Sequence, residues 1–175
     1  MYQEQIEMPV QGMPVNIKMK SNLDGWVGSG MHFHREIEIL RVEHGKMELQ
    51  VDSCRELLEP GDILLLNAMV AHCTDVLEED TGITVIQFHP ENLISEQYIS
   101  EYKYLYEFTL LSKFSWKRFS HDYDVTRQLN GYVDDIREEF MQHGEAFELF
   151  VKADIYRIFG FLYRNHILSV PKFAA

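Results

Sequence analysis

Apolar positions recur in two rhythms along this chain, and the change falls near residue 90. Before it, the runs are short and of β type. Residues 15–19 alternate apolar and polar, residues 36–42 are rich in Ile, Leu and Val, and residues 46–51 alternate again. Residues 63–66 are continuously apolar, and residues 82–88 hold Ile83, Val85 and Ile86. The joins fall at Asp24-Gly25, His44-Gly45, Pro60-Gly61-Asp62 and Thr81-Gly82, where Gly or Pro supplies turn geometry. Several strands at this spacing predict an antiparallel sandwich or barrel.

Beyond Pro90 the period becomes helical. Val125, Leu129, Tyr132, Val133, Ile136 and Phe140 recur about every 3.6 residues, with Asp122 or Asp124 as cap and Gly144 as stop. A second helix is expected over residues 145–166, with Phe147, Val151, Ile155, Ile158, Phe159 and Leu162 on one stripe. So short a break predicts an antiparallel hairpin. The aromatic-rich segment 91–120 reads as short helices and turns, which divides the chain into 1–90, 91–120 and 121–168. Phe150, Tyr156, Phe161 and Tyr163 lie beside or opposite the second stripe. Either that helix is buried on two sides within one chain, or it pairs with its copy in a homodimer.

Composition narrows the functions. The chain has 175 residues, 46% of them apolar, enough for one domain with a substantial core. No stretch is long and apolar enough to span a bilayer. A net charge of −12 argues against direct contact with nucleic acid. The start carries no secretion-signal pattern, and two cysteines (Cys54 and Cys73) suit a reducing cytoplasm.

The candidate chemistry lies in His32, His34, Glu38 and His72. Strand side chains alternate faces, so His32, His34 and Glu38 share a parity and can aim one way. Three imidazoles and a carboxylate suit one divalent transition metal, such as Zn, Ni, Fe or Mn, with positions left for water or a ligand. The alternative is a hydrogen-bonded polar network inside a barrel. Trp26 is expected near the pocket mouth, Glu36 either as a fifth pocket group or on the rim, and Cys73 on the opposite face. Phe33, Ile37 and Ile39 face away from the histidines and need cover from the hairpin or the N-terminal segment.

The string from His32 to His72 resembles a cupin. His32-x-His34, three residues, Glu38, six residues and Gly45 reproduce that family's first motif, and Gly61 and His72 fall in register with its second. Asn67, Met69 and Val76 stand where that second motif has Pro, Gly and Asn, and Trp26 stands where the first expects Gly. Residues 33–40, Leu58-Glu59-Pro60-Gly61-Asp62-Ile63 and Ile86-Gln87-Phe88-His89-Pro90-Glu91 resemble more closely the sensor domain of AraC-type transcription regulators. The likeness spans residues 14–167.

The resemblance implies a mainly β fold: a double-stranded β-helix (jelly-roll) barrel followed by a C-terminal helical hairpin. It implies a cytoplasmic, homodimeric, non-enzymatic domain that senses a small-molecule effector and pairs through its helices. The family's DNA-binding region is not in this chain, and residues 169–173 read as a linker toward it. The alternative is a stand-alone metal-dependent cupin enzyme, an oxygenase or isomerase.

Overall fold

The computed structural model describes residues 1–8, 13–89, 104 and 114–169. Ten strands lie among them: β1 (Tyr2–Gln3), β2 (Val15–Ser21), β3 (Gly28–Phe33), β4 (Ile37–His44), β5 (Met47–Val51), β6 (Cys54–Leu58), β7 (Ile63–Leu66), β8 (His72–Val76), β9 (Gly82–Phe88) and β10 (Trp116–Phe119). They form two five-stranded sheets, β1-β3-β8-β5-β6 and β10-β7-β4-β9-β2. Every pairing is antiparallel except β1 with β3, which is parallel. Two helices follow, α1 (Asp124–Gln142) and α2 (Phe147–Arg164), as a hairpin.

Alternation along the strands builds two apolar layers. Leu40, Val42, Leu64, Leu66, Ile83 and Val85 meet Met47, Leu49, Val51 and Leu58 of the other sheet inside the barrel. Ile37, Ile39, Ile63, Leu65, Ile86 and Phe88, on the opposite face, pack with Leu129, Val133 and Ile136 of α1 and Val151, Ile155, Ile158 and Leu162 of α2. The second sheet is thus covered on both faces, which is why β7 and β9 read as near-continuous apolar runs. The cover foreseen for Ile37 and Ile39 is the hairpin. Burying an apolar side chain of this size stabilises by about 1.5–3 kcal/mol, so the sheet's back is a principal reason the helices stay docked.

A buried arginine pins the same join. Arg41 of β4 donates to Glu43 through both Nε and Nη2, and its Nη1 donates to the Asn130 carbonyl and to Asp134 at 2.7 Å. At the barrel's edge, inaccessible Asp62 accepts from the Glu59 and His121 amides, from His121 Nδ1 and from Arg118. This ties the turn before β7 to β10 and to the segment leading into α1. Gly45, between β4 and β5, has φ +72°, and a Cβ there would collide with Thr81.

Several sequence expectations change. Residues 116–119, placed in an irregular connection, are strand β10, which extends the second sheet alongside β7. Most of segment 91–115 lies outside the described residues. No aspartate caps α1: its N-cap is Tyr123 without a side-chain bond, and Asp124 sits in the first turn. The helix ends one residue before Gly144, at His143 in the left-handed conformation. Nor do His32, His34 and Glu38 share a strand. His32 is the next-to-last residue of β3, His34 lies in the connector, and Glu38 is the second residue of β4 in the other sheet.

Candidate metal centre

Register explains why these side chains meet. His32 and His72 are directly opposed across β3 and β8. Glu38 and Gln87 are opposed across β4 and β9, in the facing sheet. His34, on the connector between sheets, fills the space between the two pairs. Its carbonyl accepts from the Met69 amide at 2.7 Å, which brings the turn before β8 against the connector. Met69 has φ +64°, so the backbone conformation survives where the cupin motif has glycine.

The three histidines are oriented alike. Nδ1 donates to the Gly30 carbonyl in His32 (2.8 Å), to the Glu36 carbonyl in His34 (3.0 Å) and to the Val70 carbonyl in His72 (2.9 Å). A carbonyl oxygen only accepts, so Nδ1 carries the proton in each ring and Nε2 keeps a lone pair in the neutral form. The rings offer ligand nitrogens within 4.8 Å of one another, and all three side chains are buried. Anchoring one imidazole nitrogen on a carbonyl is the usual way a protein orients the other toward a metal.

Glu38 is held as an acceptor. Its Oε2 takes bonds from Gln87 Nε2 at 2.7 Å and His34 Nε2 at 3.1 Å, and Oε1 lies 3.9 Å from His72 Nε2. Asn16 extends the row, donating to Gln87 Oε1 at 2.8 Å. Burial alone would raise the Glu38 carboxyl, but the His34 bond, the neighbouring His72 and His34 charges and Gln87 hold it at about 2. Burial opposes charge on His34, yet the Glu38 bond and the Glu38 and Glu36 charges outweigh it and raise its pKa. His72 is lowered, chiefly by burial. Within the cluster these shifts favour charge on Glu38 and on His34 over His72.

The three imidazoles form a group able to hold a transition metal. Two donors each about 2.1 Å from one ion, at octahedral to tetrahedral angles, stand about 3.0–3.4 Å apart; His34 Nε2 and Glu38 Oε2 fall in that range, and His72 Nε2 stands wider, 3.9 Å from Glu38 Oε1. The enclosed space measures about 20 Å³. That is room for one water or one ion, not an organic molecule.

One residue the sequence reading did not single out faces this space. Glu4, just after β1, places Oε2 3.2 Å from His32 Nε2, and Tyr2 stacks on the His32 ring at 5.7 Å. The His32 hydrogen bond holds the Glu4 carboxyl below its ordinary value, against burial. Trp26 lines the chamber as expected, its indole N–H without a hydrogen-bond partner among the described residues, with Lys20 Nζ 5.9 Å from its ring. Glu36 does not line it. It precedes β4, its carboxylate 3.8 Å from His34 Nδ1, on the side of that ring away from Glu38. Cys73 stays outside the cluster.

The helical aromatics divide. Phe150 and Tyr156 are exposed. Phe161 packs edge-on against Tyr132, and Tyr163 packs against Tyr104 and donates to its carbonyl. Phe161 and Tyr163, both half-buried, therefore have ring partners within this chain.

Comparison with known proteins agrees with this topology. The Cupin domain family matches residues 23–86. The fold is a cupin barrel with a helical hairpin. A variant of apo ToxT from Vibrio cholerae aligns at TM-score 0.51 and 12% identity, covering 89% of this chain and 57% of that one. A Cupin 2 conserved barrel domain protein from Salinispora arenicola aligns at TM-score 0.40 and 22% identity, covering 50% and 73%. Oxalate decarboxylase from Bacillus subtilis aligns at TM-score 0.34 and 19% identity, covering 36% and 18%. The chain thus spans little more than half of the ToxT chain and under a fifth of the decarboxylase. No curated protein matches the sequence.

Proposed function

We propose that this cupin barrel is the effector-sensing and pairing domain of a cytoplasmic AraC-type transcription regulator, not an enzyme, and that His32, His34, His72 and Glu38 hold a divalent transition metal at its centre. One observation carries the reading: strand β4 touches both the buried centre and the helical hairpin. Its Glu38 reaches the buried centre, while the alternating Ile37, Ile39 and Arg41 grip the hairpin. A ligand that prefers one setting of β4 would shift the hairpin by the same free energy. ToxT, an AraC-family regulator, shares the fold over a span that includes more than the barrel.

The metal supplies a Lewis-acidic position for a polar effector. The chain's residues do the rest: three carbonyls fix the imidazoles, Gln87, itself held by Asn16, holds Glu38, and Trp26 presents an N–H without a partner among the described residues. DNA contact is assigned to residues outside this chain, in keeping with its net charge of −12. Free Cys54 and Cys73 accord with a reducing compartment, and among the described residues no helix is long and apolar enough to cross a membrane.

Elemental analysis and calorimetric titration with Zn, Mn, Ni and Fe(II) test the centre. Stoichiometric binding is expected, with His72→Ala weakening it at least about 100-fold because one of three nitrogens is gone. Deuterium exchange then tests the signal: a bound effector should change protection in α1 and α2. A chain that binds neither metal nor small molecule overturns the proposal. Turnover of dioxygen with an organic substrate by the metal-loaded chain would replace it with the cupin enzyme reading.

A further inference from the structure

We infer that Glu4 is a further ligand of the metal centre, so that the ion fastens the N-terminal strand over the barrel. This rests on the metal reading above and adds to it a residue outside the His32–His72 motif. Glu4 reaches the centre because β1 lies parallel to β3, with Tyr2 opposite His32 and Gln3 opposite Phe33. The Glu4 amide then donates to the Phe33 carbonyl at 2.9 Å, continuing the strand for one more bond. The strand is only two residues long and both are exposed, so little apolar burial holds it. What reaches inward is the Glu4 carboxylate, 28% exposed, whose Oε2 stands 3.2 Å from His32 Nε2.

That separation falls within the about 3.0–3.4 Å expected of two donors on one ion, as does the His34–Glu38 pair. Glu4 lines the same small chamber as His32, Glu38 and His72, and the His32 Nδ1 bond to the Gly30 carbonyl turns Nε2 toward it. The ion thereby closes the chamber. With Glu4 released, the chamber opens beside His32 and Trp26 and admits a molecule larger than its present 20 Å³.

The test compares wild type, Glu4→Gln and Glu7→Gln by calorimetric titration with Zn and Mn, alongside deuterium uptake of residues 1–8 with and without metal. Glu7 is an exposed carboxylate on the same segment and controls for general charge. The expected result is metal binding at least about tenfold weaker in Glu4→Gln and unchanged in Glu7→Gln. Metal should slow exchange at residues 2–4 in wild type and not in Glu4→Gln. Equal affinities, with N-terminal exchange indifferent to metal, overturn the role of Glu4 and leave the histidine centre standing. Absence of metal binding in wild type overturns both.

Discussion

At single residues, geometry outlasts the residue type that usually supplies it. Met69 adopts φ +64° in the turn before β8, where the cupin motif has glycine. A side chain there costs about 1 kcal/mol or more, partly offset because methionine loses less backbone freedom on folding than glycine. Met69→Gly is therefore expected to stabilise by about 0.5 kcal/mol, read as a higher urea midpoint, with metal affinity unchanged. Asp62 is the opposite case, an inaccessible carboxylate accepting from His121, Glu59 and Arg118. Burial works against its charge, but those donors win and hold its pKa below the ordinary 3.8. Its contribution is fully present above the unfolded value and is lost as pH falls through the folded one. Asp62→Asn should cost about 2 kcal/mol in urea unfolding at pH 7, a gap that narrows below pH 4. His121, raised mainly by the Asp62 bond, adds its share at lower pH and loses it above its own raised value.

Among the elements, β4 is the one with two duties. Inward it presents Glu38, Leu40 and Val42; outward it presents Ile37, Ile39, Arg41 and Glu43. The apolar pairs hold the hairpin without choosing its position, since packing contacts of similar size accept small slides. Arg41 chooses, because its fork must meet Glu43, Asp134 and the Asn130 carbonyl together. Arg41→Met keeps the aliphatic bulk and removes the fork. It should cost about 2 kcal/mol and raise deuterium uptake in α1 more than in the barrel. A variant with unchanged α1 protection would show that packing alone sets the hairpin's position.

The whole molecule places a closed polar centre in front of one sheet and a helical pair behind it. α2 turns Val151, Ile155, Ile158 and Leu162 inward and leaves Leu149, Phe150 and Tyr156 exposed. Those outward residues form the surface we assign to pairing with a second copy. Arg157, Asp154 and Asp135 beside them make ion pairs that suit a polar rim. Phe150→Asp should shift sedimentation from dimer to monomer and leave helical content unchanged, whereas a wild-type monomer at all concentrations would remove this surface from the account.

Local periodicity was enough for much of this. Alternation at residues 46–51, the apolar run 63–66 and the spacing of Val151, Ile155, Ile158 and Leu162 define elements whose identity depends on neighbours in the chain. The motif from His32 to His72 named the centre's histidines because their spacing, His32-x-His34 with His72 further on, is written in the chain itself. Glu4, Asn16 and Gln87 were not legible, although Asn16 and Gln87 are polar residues inside apolar strands. Glu4 meets His32 across 28 positions and Asn16 meets Gln87 across 71, through sheet register that nothing in a short window encodes. The same holds for β10, which is a strand because β7 offers it an edge, and for Phe161 and Tyr163, whose ring partners are Tyr132 and Tyr104. Spacing along the backbone sets which face a residue takes, while its partner on that face depends on how distant strands pair and which helix covers them.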